Sequence, residues 1–333
     1  MFRTILPRLA CPDCGRGLRL LDAGGPPTET VESATLACAA GHVRAVEGGI
    51  PRLLPAGAPD PQADATRRAF ERQWRAYARL SRLFGKDRAS MRRNLVGGRM
   101  GSRIDAAWYA GKWILDAGCG HGRYLEAFAS LGATAVGVDL GRGPEAAGVA
   151  LDDPRIHVVQ GDVLRLPFAD ASFDLAFCDG VLHHTPDPAR GFEELARVTR
   201  PGGAVYAWLY PREGAVREAA FGAARSVTTR LTGPLVRSLC FALAPLTAGV
   251  RSYSGTQFPR ATWGECAQVV HDWLAPPLQS HHTYEELEGW AAAAGLSPVE
   301  RHPIPVGLVA WKPASSSGRP AFAPRAPAAT GGG

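Results

Sequence analysis

The sequence predicts an α/β fold, a doubly wound Rossmann-like sheet with a helical insert, preceded by a small metal-stapled module. Three observations carry this. Short apolar strands alternate with helical patterns from Lys112 to Tyr210, the pattern of a parallel sheet. The first of those strands runs into a glycine-rich turn, Asp116-Ala-Gly-Cys-Gly-His-Gly122. Two half-sites of cysteine and histidine come before it, Cys11-Pro-Asp-Cys14 and Cys38-Ala-Ala-Gly-His42.

Composition bounds the class. With 333 residues, 46% of them hydrophobic and 20% charged, the chain has room for two domains and a sizeable core, and reads as globular rather than disordered. The formal net charge is +6, almost all of it arginine, with lysine only at Lys86, Lys112 and Lys312. Together with the many Ala, Gly and Pro residues, this bias fits a GC-rich genome at least as well as a nucleic-acid surface. Between Ala56 and Ala110, twelve Arg or Lys stand against five Asp or Glu. That surplus of seven exceeds the net charge of the whole chain, so any acidic partner belongs to this segment. Met1 to Ala10 has no apolar run of the signal-peptide kind. The most apolar stretch, Ser238 to Val250, falls short of the about 20 residues a bilayer requires. Seven cysteines, four of them scattered singly, do not form a secreted disulfide framework. The expectation is a cytoplasmic chain without a membrane span.

Along the chain, residues 1–55 form the first unit. Cys11, Cys14, Cys38 and His42 offer soft and imidazole ligands in two pairs separated by 23 residues, which suits tetrahedral zinc. Such an ion could fold a segment too small for its own core. Four protein ligands leave no open position, so the zinc would be structural; a redox pair or unmetallated thiols is the alternative. Residues 56–110 follow as a linker (Pro55 to Pro61) and an Arg-rich helical segment. The spacing predicts an amphipathic helix from Gln62 to about Gly85, with Phe70, Trp74, Tyr77 and Phe84 near one face. Arg68, Arg72, Arg75, Arg79 and Arg82 form a stripe on another face.

Residues 111–313 carry the main domain. Trp113 to Leu115 is a strand, Arg123 to Leu131 a helix, and glycines at 118, 120 and 122 let the backbone between them approach a ligand closely. The spacing is G-x-G-x-G rather than the G-x-G-x-x-G of nicotinamide binders. Ala135 to Val138 is a second strand ending in Asp139, where a carboxylate can accept two ribose hydroxyls. Ile156 to Gln160 ends in Gly161-Asp162, suited to an exocyclic adenine amine. The strand Phe173 to Cys178, a helix opened by Asp187 and Pro188, and a Pro201-Gly202-Gly203 turn into Ala204 to Trp208 complete the alternation. Residues 213–277 read as a helical insert in it, and Thr283 with Glu286 as a capping box. Strand-like runs return at Ser297 to Arg301 and Val306 to Lys312. Residues 314–333 are Ser/Pro/Ala/Gly-rich and read as disordered.

The run LDAGCGHGR, VGVDLG, GDVLRLPFADASFDLAF, GVLHHTPDP and RVTRPGG, in that order over residues 113 to 210, resembles the class I S-adenosylmethionine-dependent methyltransferases, above all the ubiquinone/menaquinone-type (type 11) branch. The resemblance implies a seven-stranded sheet and S-adenosyl-L-methionine as cofactor. Asp116, Gly118, Gly120 and Gly122 would bind it, the glycines at its methionine end, with Asp139 at the ribose and Asp162 at the adenine. CPDCGRGL, CAAGH and EGGIPRLLP resemble two zinc modules: the head of bacterial 23S rRNA guanine-N1 methyltransferases, and the small activator subunit of tRNA and translation-factor methyltransferases.

Methyl transfer from a sulfonium is an in-line displacement in which holding the acceptor opposite the sulfur is the main task. A base is optional. Cys178-Asp179-Gly180 is not the Asn/Asp-Pro-Pro-aromatic tetrad of planar-amine methylation, and no Pro-Cys pair of cytosine C5 enzymes is present. Asp179, His183 and His184 lie where substrate-facing groups sit in the resembled family, and adjacent histidines diverge, so one of the two is expected to pack. Asp272-Trp-Leu-Ala-Pro276 and His281-His-Thr-Tyr-Glu-Glu286 also resemble this group, with His282 as a fourth candidate catalytic residue.

Three functions are open. The preferred one is methyl transfer to a small-molecule metabolite. There the insert and the helix bearing Phe70, Trp74 and Tyr77 would close an apolar pocket over Asp179, His183, His184 and His282. An rRNA guanine methyltransferase would need the arginine stripe to line an open cleft, and nucleic acid is the less favoured partner. The third is a non-catalytic zinc-ribbon interaction protein with a degenerate methyltransferase domain. The sequence names neither the acceptor atom nor the oligomeric state.

Overall fold

The computed structural model describes residues 1, 3–21, 30–57, 60–81, 88–96, 99–147, 151–231, 233–244 and 263–314. Arg82, Phe84 and the tail expected from 315 onward lie outside them, as do the side chains of Trp74, Arg75, Tyr77 and Arg79.

A 3-10 turn at Arg3–Arg8 leads into four antiparallel strands, β1 (Leu18–Leu20), β2 (Ala34–Cys38), β3 (Val43–Glu47) and β4 (Ile50–Pro51), in the order β1-β2-β3-β4. Two helices follow, α1 (Pro61–Ser81) and α2 (Arg88–Val96). The main sheet is built from β5 (Trp113–Ala117), β6 (Thr134–Asp139), β7 (Ile156–Gln160), β8 (Phe173–Asp179), β9 (Thr199–Trp208), β10 (Val299–Arg301) and β11 (Gly307–Trp311). Its order is β10-β11-β9-β8-β5-β6-β7, the first five strands in sequence being parallel to one another and β11 antiparallel to both β9 and β10. This is the seven-stranded Rossmann-like methyltransferase sheet that the sequence resembles. The strand order reverses between β5 and β8, and at that switch point the carboxyl ends of the strands open a crevice.

The connecting helices α3 (Arg123–Ser130), α4 (Gly143–Ala147) and α5 (Pro188–Val198) pack on the sheet. Asp187 caps α5 by accepting from the Arg190 N–H at 3.0 Å, with Pro188 at the first helical position, where its missing N–H costs nothing. Phe128 and Tyr124 of α3 meet Phe177 and Tyr206 of the sheet in a buried aromatic layer. The insert holds α6 (Ala215–Thr228), α7 (Gly233–Leu243) and α8 (Trp263–Leu274). It buries a small core of its own, with Val236, Cys240, Val270 and Leu274 at the centre. The capping box read from Thr283 and Glu286 opens α9 (Tyr284–Ala293).

The N-terminal strands do not stand apart. One hydrophobic core runs from Ile5, Leu36 and Leu53 through Leu115, Phe168 and Leu195 to Leu308. Leu9 bridges Phe168, Arg52 bridges Gln160 at the end of edge strand β7, and the Leu53 N–H donates to the Gln160 carbonyl at 2.8 Å. No helix among the described residues is long and apolar enough to cross a membrane.

Candidate active site

The crevice at the switch point holds a cavity of about 230 Å³. The glycine turn forms its floor. Gly118 sits at φ +80°, and a Cβ there would come within 2.4 Å of Val181, so any other residue would fill the space the turn keeps open. The turn is tied to the end of β6 by Gly118 and Cys119 N–H groups donating to the Val138 carbonyl. Gly120 and Gly122 also adopt positive φ, and Gly122 caps α3.

Three carboxylates from three strand ends face this space. Asp139 accepts from the Gly120 N–H at 2.9 Å and the Gly141 N–H at 2.8 Å. Burial lifts its pKa to about 6, against these two hydrogen bonds. Asp162 accepts from the Leu164 N–H, and burial raises its pKa too. Asp116 is buried, and its Oδ2 has no hydrogen-bond partner. Burial, reinforced by Asp179 and Asp139 and opposed by Arg123, pushes it up to about 8. A lone buried carboxyl beside a glycine cradle fits the ammonium group of an amino-acid ligand. The residues present therefore suit S-adenosylmethionine.

The four candidate catalytic residues separate. Asp179 lines the cavity, but both its oxygens are taken: it faces Arg99 Nη2 at 2.9 Å and accepts from the Tyr124 and Tyr206 hydroxyls at 3.0 and 3.2 Å. Burial alone would raise its pKa, yet Arg99, Arg123 and the two hydroxyls outweigh that and hold it low. A carboxylate so held is a poor proton acceptor. His184 also lines the cavity, edge-on to Phe70 of α1 with ring centroids 4.9 Å apart. Its Nδ1 lies 2.8 Å from the Leu278 carbonyl, which makes Nδ1 the protonated nitrogen and leaves the Nε2 lone pair. Burial pushes its pKa down to about 4, so the ring is neutral near pH 7.

His183 and His282 are not brought to the cavity. His183 stacks on Tyr210 at 3.8 Å and accepts from the Tyr210 N–H, a fully buried packing position outside the cavity. His282 spends Nδ1 on Glu286 and Nε2 on Ser280, holding the segment that leads into α9.

The acceptor side of the cavity is built by residues that sequence reasoning passed over: Thr66, Arg67 and Glu71 of α1 beside the expected Phe70, then Trp208 and Tyr210 after β9. Ala63, Thr66, Arg67 and Phe70 fall at helical spacing, a signal that their mixed polarity hides. Of the described insert, Asp272 alone lines the cavity, linked to α1 by the Gln73 amide. The described part of the insert is not the roof expected of it, because its helices bury their apolar faces against one another. Arg68 and Arg72 project from a different face of α1.

At the N-terminus, one ligand atom from each of Cys11, Cys14, Cys38 and His42 lies within 4.8 Å of the others. The Cys14 and Cys38 sulfurs are 3.6 Å apart, and both the Cys11 and Cys38 sulfurs stand 3.5 Å from His42 Nδ1. A tetrahedral ion with bonds to sulfur of about 2.3 Å implies an edge of roughly 3.8 Å, so the size and donor chemistry agree.

A family model described as a methyltransferase domain matches residues 115–207. An uncharacterized methyltransferase of Mycobacteroides abscessus is 36% identical over 113 residues, 31% of this chain and 43% of that protein. A ubiquinone biosynthesis O-methyltransferase of Pseudomonas paraeruginosa is 37% identical over 110 residues, 31% of this chain and 46% of its own. A demethylmenaquinone methyltransferase of Clavibacter sepedonicus is 30% identical over 208 residues, 60% of this chain and 72% of its own. The chain thus spans less than half the length of the first two relatives.

Proposed function

Because the chain belongs to the class I S-adenosylmethionine-dependent methyltransferases, we propose that it methylates a small-molecule metabolite held between α1 and the end of β9. The observation that carries this reading is the aromatic wall at the acceptor side: Phe70, Trp208 and Tyr210 line the cavity with His184. Of the arginine stripe that RNA would need in the cleft, the described members Arg68 and Arg72 are on another face of α1. Two relatives named for quinone substrates agree in kind.

When bound, the cofactor supplies a methyl group already activated on a sulfonium sulfur. Asp116 takes its ammonium group, Gly118 to Gly122 pass close along its methionine end, Asp139 receives the ribose hydroxyls and Asp162 the adenine amine. Phe70 and Tyr210 hold the acceptor in line and keep water out. His184, a neutral ring with Nδ1 given to the Leu278 carbonyl, offers Nε2 as a hydrogen-bond acceptor that orients a hydroxyl of the acceptor. Asp179 fixes the wall through Arg99 and Tyr124 rather than moving a proton. Cys11, Cys14, Cys38 and His42 hold a structural zinc, and residues 1–55, 56–110 and 111–313 are the module, connecting segment and methyltransferase domain.

The test is transfer of labelled methyl from S-adenosylmethionine to a panel of phenols, enols and quinols, and to rRNA fragments. His184→Ala should lower the turnover number by about tenfold on the accepted metabolite, with unchanged affinity for S-adenosylhomocysteine. Labelling of rRNA alone would reverse the choice of substrate, and calorimetry showing no cofactor heat would sink the enzyme. One zinc per chain in untagged protein is expected from elemental analysis.

A further inference from the structure

Helix α1 has a concave neighbour on each side. Thr66, Phe70 and Glu71 face the cavity described above. Arg68, Ala69 and Arg72 line a second one of about 600 Å³, whose other walls are Thr228 and Thr229 at the end of α6, the start of α7, and His271 of α8. Three guanidinium groups line this second cavity, from Arg68, Arg72 and Arg237, and none of its described lining residues is acidic.

Arg68 is paired with Asp64. Arg72 and Arg237 have no carboxylate partner among the described residues. Their charge is felt locally: after burial, Arg72 and Arg237 are what push the His271 imidazole down to about 4. The amino acids 245–262, next in the chain after α7, include no Asp or Glu and add Arg251 and Arg260, so that stretch supplies no countercharge. Two guanidinium groups without a carboxylate partner among the described residues line one concavity, and an anion between them would offset their like charge. Gly233 and Pro234 bring the positive end of the α7 dipole to the same wall. Guanidinium forks match phosphate oxygens in pairs, which makes phosphate the anion of best fit.

We propose that the cavity between α1, α6 and α7 is a binding site for a phosphate group, gripped by Arg72 and Arg237 with Arg68 at its rim. The three arginines are exposed around one concavity rather than along a ridge, which favours a small phosphate compound over a polynucleotide backbone. The site is separate from the cofactor cavity and stands whether or not the methyl acceptor is a metabolite.

Calorimetric titration of the full chain with inorganic phosphate, pyrophosphate and ribose 5-phosphate tests it. Saturable one-to-one binding is expected, undisturbed by saturating S-adenosylhomocysteine. Arg72→Gln/Arg237→Gln should weaken it by about tenfold or more, with Arg72→Lys/Arg237→Lys in between. Affinity for S-adenosylhomocysteine and the thermal midpoint serve as the check that both variants fold. Tighter binding of ribose 5-phosphate than of inorganic phosphate identifies an ester as the source, and the reverse identifies the free ion; both support the site. No saturable binding, an unaffected glutamine variant, or displacement by S-adenosylhomocysteine would overturn it. So would steeply salt-dependent binding of an RNA oligomer without any binding of the small phosphates, which would mark an extended nucleic-acid surface instead.

Discussion

Asp116 carries a buried carboxyl with one oxygen unpartnered and a pKa pushed up to about 8, chiefly by burial. Below that pH the ligand-free protein holds a proton there, and an incoming ammonium group must displace it. Binding of S-adenosylhomocysteine at pH 7 should therefore release about one proton, read as a dependence of the calorimetric heat on buffer ionisation enthalpy. Asp116→Asn should abolish the release; equal release from wild type and variant would mean the proton comes from elsewhere. If Asp139 receives the ribose hydroxyls as proposed, Asp139→Ala should weaken the same ligand by about 1.5–3 kcal/mol. Asp139 was legible in the sequence, since it ends a strand at a telling distance from the glycines, whereas Asp116 was marked by the family resemblance. His183 and His184 were not separable, because one residue of chain turns a side chain from a packed core to a cavity. Arg99, which sets the charge state of Asp179, gave no signal at all: it lies 80 residues away in an irregular segment.

Among the elements, β4 has the largest consequence for its size. It ends where Arg52 bridges Gln160 and Leu53 donates to Gln160, two residues before Asp162, and the Gly161 N–H in turn donates to the Asp139 carbonyl. A metal at Cys11, Cys14, Cys38 and His42 would thus brace Asp139 and Asp162 through one short strand. Stripping it with a chelator should raise amide exchange at Leu53 and Gly161 by about tenfold or more and weaken S-adenosylhomocysteine binding. Unchanged exchange in demonstrably metal-free protein would show that the apolar core alone holds the strands. The alternation from Trp113 to Trp208 predicted the parallel strands closely, because buried strands are short apolar runs ended by Gly or Asp. The Pro201-Gly202-Gly203 stretch was read as a turn, yet β9 runs through it from Thr199, with Gly203 where a Cβ would meet the Asp174 carbonyl at 2.7 Å. Such close approach is set by the neighbouring strand and leaves no mark in local spacing.

At the scale of the molecule, the buried histidines decide the response to acid. Burial depresses His157, His183, His184, His271 and His302, four of them to about 4. Between pH 6.5 and 4 the unfolded chain takes up protons these native rings refuse, so stability falls as the pH drops. Asp116, Asp139 and Asp162, raised by burial, act in the opposite sense, since the native state keeps protons that the unfolded chain has lost. Each group is worth at most about 1.4 kcal/mol per pH unit, and five histidines outweigh three carboxylates. The thermal midpoint should be lower at pH 5 than at pH 7; an equal or higher midpoint would show that the native rings accept protons. The shared core has a consequence in time. Leu9 bridges to Phe168 and Leu53 donates to Gln160, so during synthesis these contacts of the first strands wait for more than a hundred further residues. At about 5–20 residues per second, that wait is roughly 5–30 seconds, during which Ile5, Leu36 and Leu53 have the apolar residues of the N-terminal module, such as Leu18 and Val46, and the cysteine–histidine cluster to shelter them. Ribosome-stalled chains ending well before and well after Phe168 should differ sharply in protease resistance within residues 1–55, the longer one alone being protected.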